Sequence, residues 1–220
     1  MVGKMSLLKS LMSHWLGLVF LLQMLLLALQ FHVIWPLEIR LFGPVTAYAS
    51  IFFLPHACRV LAAWLLGPKA IFALAPAEVL FVLMVMDGDL PADMTFIIFV
   101  IPAIAASTAV IAFELMRMMQ IDVYPSRMAV PNWRGVVFAG CLASVLNSIS
   151  GTFLKTYALP SEEIFLIIFR YIIGDTAGLL FCMLALMLMF RMADRARKPT
   201  QEWLPVYPFS GGKAPSPFVE

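Results

Sequence analysis

Apolar residues run along this chain in blocks longer than a soluble helix needs, broken by short clusters of proline, glycine and charge. The blocks fall at about 11–35, 44–66, 70–87, 94–116, 135–156 and 163–190. Each is near the roughly 20 residues that cross a hydrocarbon core of about 30 Å. The breaks carry turn chemistry: Trp35-Pro36, Gly67-Pro68, Asp87-Gly88-Asp89, Pro125 with Pro131, and Pro160. The first block is too long for a signal-peptide core, and no small-residue cleavage site follows it. The pattern predicts an all-α membrane protein, a polytopic bundle of about six transmembrane helices over residues 1–198.

Composition agrees with the pattern. Of 220 residues 62% are hydrophobic and 13% charged, against about 25% charged in soluble domains. Mean hydropathy is +0.94. The formal net charge is +2, which gives a nucleic-acid role no electrostatic support.

Charge then orients the spans. Eleven Lys and Arg fall on one set of loops and ends: Lys4, Lys9, Lys69, Arg117, Arg127, Arg134, Arg191, Arg195, Arg197, Lys198 and Lys213. The alternate set holds Arg40 and Lys155. Asp87, Asp89, Asp93, Glu162 and Glu163 fall on that Lys-poor side. Both termini are therefore expected in the cytoplasm. Residues 199–220, rich in Pro, Gly and Ser, are expected to form an extended or disordered tail. That tail is too short for a kinase, cyclase or nucleotide-binding domain.

Ionisable side chains inside the blocks demand an explanation, because each costs about 2.5–3.5 kcal/mol on insertion scales. Arg59 precedes the Gly67-Pro68 turn by eight residues, and Glu78 follows it by about ten. At 1.5 Å per residue the two lie at one depth of an antiparallel hairpin. They either lock the hairpin as a buried pair or belong to a ligand site. His56 lies three residues before Arg59 on the same helical face. It either joins a polar stripe or bonds a carbonyl freed near Pro55.

In the fifth block Ser144, Asn147, Ser148 and Gly151 share one face, as in close helix packing with interhelical hydrogen bonds. Asn147 is also placed to bond a ligand. The sixth block holds Arg170 and Asp175, five residues or about 140° apart, so they do not pair with each other. Asp175 is expected to face the interior, with Thr176, Asn147, water or another span as partner. Gly174 and Gly178 form a small-residue face that admits a close backbone.

Other chemistries find little support. Cys58, Cys141 and Cys182 sit within apolar blocks as small hydrophobes. The 15 methionines fall on diverging helix positions, and no Cys/His cluster suggests a metal. There is no HExxH, GxSxG or nucleotide loop, so a non-enzymatic protein is expected. The residues name no cofactor.

Two segments carry a resemblance. LPHACRVLAAWLLGPKAIFALAPAEVL (54–80) and FRYIIGDTAGLLF (169–181) resemble the MASE1 family of bacterial membrane sensor domains. The second matches that family's aromatic-x-x-x-Gly-Asp-x-x-Gly-x-Leu element at Gly174, Asp175, Gly178 and Leu180. NWRGVVFAGCLASVL (132–146) is a looser match. Segment 54–80 is also similar to the first hairpin of substrate-binding subunits of energy-coupling-factor vitamin transporters.

The resemblance implies a multi-pass protein of the bacterial inner membrane that binds a small ligand and biases a partner protein. The alternatives are a substrate-binding subunit of an uptake transporter and a structural accessory subunit. His56, Arg59, Glu78, Asn147 and Asp175 are the candidate ligand residues.

Overall fold

In the computed structural model, residues 2–43, 50–85, 95–125, 132–155 and 164–197 are described, with side chains from 14, 98 and up to 153 and 195 in the segments concerned. Several expectations lie outside the described residues: the Asp87-Gly88-Asp89, Pro131 and Pro160 breaks and the tail at 199–220. Asp93, Arg127, Glu162, Glu163, Lys198 and Lys213 lie outside them too, as do the side chains of Lys4, Lys9, Lys155 and Arg197.

The described residues are helical almost throughout and contain no strand. The helices are α1 (Val2–Leu29), α2 (Trp35–Phe42), α3 (Leu54–Leu66), α4 (Ile71–Val85), α5 (Thr95–Met118), α6 (Trp133–Lys155) and α7 (Ile164–Arg197). Five stretches are long and apolar enough to cross a membrane: His14–Phe42, Leu54–Val85, Ile98–Met118, Trp133–Phe153 and Ile164–Arg195. A multi-pass membrane protein has this pattern, and the surface agrees. Leu21, Leu25, Phe72, Phe153 and Phe165 are exposed, while Gln23, Gln30, Glu38, His56 and Asp175 are buried. A soluble fold sorts these residue types the other way.

Two of the expected boundaries move. The break at Trp35-Pro36 does not end the first helix. A π-helical segment (Gln30–Ile34) joins α1 to α2, and the Trp35 N–H reaches the Gln30 carbonyl. Proline lacks an N–H and crowds the carbonyl four residues back, and a widened turn accommodates it.

In the expected second span, 44–66, the described residues become helical at Leu54. Residues 50–53 are not helical, and 44–49 lie outside the described residues. Leu54–Val85 is one apolar helical stretch of 32 residues, yet it reverses direction. Gly67, at φ 60°, starts a 3₁₀ turn (Gly67–Ala70), a backbone angle that suits glycine. Arg59 and Glu78, 19 residues apart, touch at 2.7 Å. A straight helix would separate them by about 28 Å. With 13 and 15 residues, each arm is about 20 Å long and shorter than a hydrocarbon core.

The main body comprises residues 1–184. Within it α5 packs on α6 and α4, and α1 packs on α4 and α3. Its apolar core joins Val60 and Ala63 of α3, Phe113 and Met116 of α5, Ala139 and Ala143 of α6, and Leu179 of α7. Small residues dominate the core, as they do where membrane helices approach closely. A second unit begins at Ala185. Its described part is helical, with Met187, Met189, Arg191 and Arg195 exposed.

Candidate functional site

The four non-helical residues Ser50–Phe53 pose a problem inside an apolar bundle, because their amides have no helical partner. Each described amide from Ile51 to Leu54 is nonetheless satisfied. Ile51 N–H donates to Glu38 Oε2 at 3.2 Å, and Phe52 N–H to Ser50 Oγ at 3.3 Å. Phe53 N–H donates to the Gly174 carbonyl at 3.0 Å, and Leu54 N–H to Gln30 Oε1 at 3.2 Å. Ser50 Oγ donates to Glu38 Oε2 at 2.7 Å and accepts from Gln30 Nε2 at 2.9 Å. The π segment places Gln30, and α2 places Glu38, on the face that receives the strand-like segment.

That segment lies in the groove of α7. A methyl group at Gly174 would overlap the Ser50 carbonyl, and one at Gly178 the Phe53 carbonyl. The expected close backbone at this glycine pair is present, but it is extended chain and not a helix.

The pair expected across the hairpin forms. Arg59 Nε donates to Glu78 Oε1 at 2.7 Å, and Gln23 Nε2 donates to the same oxygen at 2.6 Å. Arg59 is 3% and Glu78 7% exposed. The guanidinium lies 5.5 Å over the Phe53 ring, and its Nη1 is buried without a hydrogen-bond partner.

Asp175 faces inward as expected, 1% exposed. Its Oδ2 accepts from Ser144 Oγ at 3.2 Å and from Asn147 Nδ2 at 3.3 Å. His56 Nδ1 stands 3.5 Å from the same oxygen. Thr176 is not its partner; that hydroxyl points to Cys141 Sγ at 4.0 Å. His56 Nε2 lies 3.0 Å from the Gly140 carbonyl. A carbonyl only accepts, so this nitrogen carries the ring proton. The bonded carbonyl belongs to α6 and is not one freed near Pro55.

Between these two polar clusters lies a cavity of about 420 Å³. Arg59, Glu78, Asn147, Gly151 and Asp175 line it, with Gln30 and Ser50 from the broken segment and its supports. Phe31, Trp35, Phe53, Phe81 and Tyr171 supply aromatic wall. His56 and Ser148 are not on the wall. Ser148 is buried and donates to the Ser144 carbonyl within α6. Gly151 departs from its expected packing role, because among the described residues nothing lies within 4 Å of where a Cβ would stand. It opens space where the other two glycines close it.

Gln23, Gln30, Glu38 and Ser50 were not among the candidates. A signal existed: Gln23, Leu27 and Gln30 recur at helical spacing on one face, and that face is buried.

At another part of the body a loop is held by polar contacts of its own. Trp64 Nε1 donates to the Val123 carbonyl at 2.8 Å, and the Tyr124 hydroxyl to Glu114 Oε1 at 3.0 Å. Partial burial, then the Glu114 hydrogen bond and charge, hold the Tyr124 phenol above its ordinary range.

Comparison of the chain with family models, with curated proteins and with solved structures finds no match.

Proposed function

We propose that this chain is a non-enzymatic, small-ligand-binding protein of the bacterial inner membrane, of the MASE1-like sensory kind, which biases a partner protein when its cavity is occupied. It crosses the bilayer six times and keeps both termini in the cytoplasm. The carrying observation is the cavity of about 420 Å³ on which Arg59, Glu78, Asn147 and Asp175 converge amid aromatic walls. Largely apolar pockets with a few convergent polar groups are the usual form of a small-molecule site. Ionisable groups inside a bundle mark functional positions by default.

The loop-charge asymmetry supports the orientation. Reporter fusions at Lys4 and after Lys198 test it; an external signal from either overturns the six-crossing arrangement.

A second reading, a substrate-binding subunit of an uptake transporter, draws on one feature. Non-helical backbone at Ser50 and Phe53 forms part of the cavity wall, as in transporters whose broken helices surround their substrate. A structural accessory subunit would need no cavity.

Native mass spectrometry of gently purified protein tests the site. The expected result is a retained small molecule that is missing from Gly151→Leu, where a side chain fills the open space. A protein that carries no small molecule, but does carry a stoichiometric partner subunit, points to the accessory role instead.

A further inference from the structure

Among the described residues the buried ionisable groups are unbalanced. Glu38, Glu78 and Asp175 are buried carboxylates, Arg59 is the buried guanidinium, and His56 adds an imidazole. Arg59 is already committed to Glu78 at 2.7 Å. His56 Nε2–H is directed to Gly140, so a neutral ring has no proton on Nδ1 to give Asp175, 3.5 Å away. Asp175 is thus held by two neutral donors, Ser144 and Asn147, both on Oδ2. Among the described residues nothing donates to its Oδ1, and the residue lines the cavity.

An unbalanced carboxylate in an apolar bundle is costly unless a positive charge joins it. The same cavity is lined by the aromatic rings of Phe31, Trp35, Phe81 and Tyr171. Aromatic faces attract cations, and more strongly when water is excluded. A metal ion fits poorly, because among the described residues no three His, Cys, Asp or Glu converge. An anionic ligand would have to approach two carboxylates to reach one guanidinium that is already paired.

We infer that the cavity binds a small organic monocation, an amine or quaternary ammonium with an apolar body, its charge at Asp175 and its body against the aromatic wall. This rests on the proposed ligand site and names the class of its ligand. At roughly 30 Å³ per non-hydrogen atom the space suits on the order of a dozen such atoms. Asn147 and Ser144 are positioning residues here: they fix the carboxylate through Oδ2 and leave Oδ1 toward the ligand.

The test uses the full chain in an uncharged maltoside detergent with three probes of equal size. These are benzyltrimethylammonium, its uncharged carbon analogue neopentylbenzene, and 3-phenylpropionate. Thermal unfolding and Trp35 fluorescence report binding. The cation is expected to bind saturably, on the order of tenfold tighter than the uncharged analogue. Asp175→Asn should erase that preference and leave the helical circular dichroism unchanged.

Gly151→Leu should abolish binding of the cation by filling the space, and this variant carries the test if Asp175→Asn does not fold. Equal binding of the cation and its uncharged analogue overturns the inference. So does tighter binding of 3-phenylpropionate, which would leave a ligand site of opposite preference. Selective cation binding that persists in Gly151→Leu places the ligand elsewhere and overturns it as well. If no probe binds, the ligand class is wrong, while native mass spectrometry still decides independently whether the cavity holds a molecule.

Discussion

Glu78 and Asp175 line one cavity, yet the protein treats the two carboxylates differently. Glu78 is met by a guanidinium and an amide on a single oxygen, all drawn from the N-terminal part of the chain: Gln23, Arg59 and Glu78. Asp175 is met by a hydroxyl and an amide of α6. The first arrangement closes a hairpin whose arms are too short to stand alone. The second hydrogen-bonds its acid through neutral groups, with the His56 ring 3.5 Å away. A carboxylate joined by a neighbouring guanidinium serves the architecture, and one hydrogen-bonded by neutral donors is open to answer to something else.

The sharpest way to break this contrast is to remove one member of the closed pair. Glu78→Gln and Arg59→Gln should each lower stability by about 3–5 kcal/mol, since each strands a buried partner. Chemical denaturation of the double variant should show a loss smaller than the two single losses combined. Additive losses would mean the pair is not coupled.

The groove on α7 ranks next. Gly174→Ala and Gly178→Ala each set a methyl against backbone and should cost about 1–3 kcal/mol. Protease cleavage near residues 50–53 should speed up if the segment is displaced. Unchanged melting of both variants would show that the segment does not depend on the groove.

Asp175→Asn is the matched change on the open side. Exchanging charge-assisted for neutral hydrogen bonds should cost about 1 kcal/mol, well below the Glu78→Gln loss. Equal losses at the two positions would erase the distinction.

Tyr124 offers a control away from both carboxylates. Tyr124→Phe should cost about 0.5–1.5 kcal/mol at neutral pH through the lost bond to Glu114. The native phenol titrates above the unfolded one. Its contribution is therefore whole below about pH 10 and falls as pH rises toward the native value, because only the unfolded chain has then released the proton. A melting series from pH 8 to pH 11 should show the gap between the two proteins shrinking.

The smallest change has the opposite sign. Gly151→Ala replaces a helical glycine beside open space, and a gain of up to about 1 kcal/mol is expected. A loss would show that the space is needed for folding.

How far these features could be read from residues alone depended on what each required. Arg59 and Glu78 could be paired in advance because Gly67-Pro68 marks the reversal and both lie equally far from it. The approach of a backbone to Gly174 and Gly178 was legible from their spacing. The identity of that backbone was not, since residues 44–53 are as apolar as a span and hydropathy does not register whether an amide has a helical partner. Gly151 was misread for a related reason: a small residue at helical spacing looks the same whether it admits a neighbour or leaves a void. Gln23, Gln30 and Glu38 were visible as polar residues. Their joint role was hidden because the π segment between Gln30 and Glu38 leaves little trace beyond a proline two residues after its end.

The seating of Ser50–Phe53 bears on the order in which the protein can mature during synthesis. Gln30 and Glu38 precede the segment and can reach its amides as soon as it emerges. The acceptor of the Phe53 amide, and the groove that covers the segment, arrive more than a hundred residues later with Gly174 and Gly178. Until α7 arrives, the Phe53 amide lacks its acceptor, which lipid cannot replace. α7 therefore completes the segment: a chain that stops before Gly174 leaves the Phe53 amide without its acceptor and the Ser50 and Phe53 carbonyls without their cover.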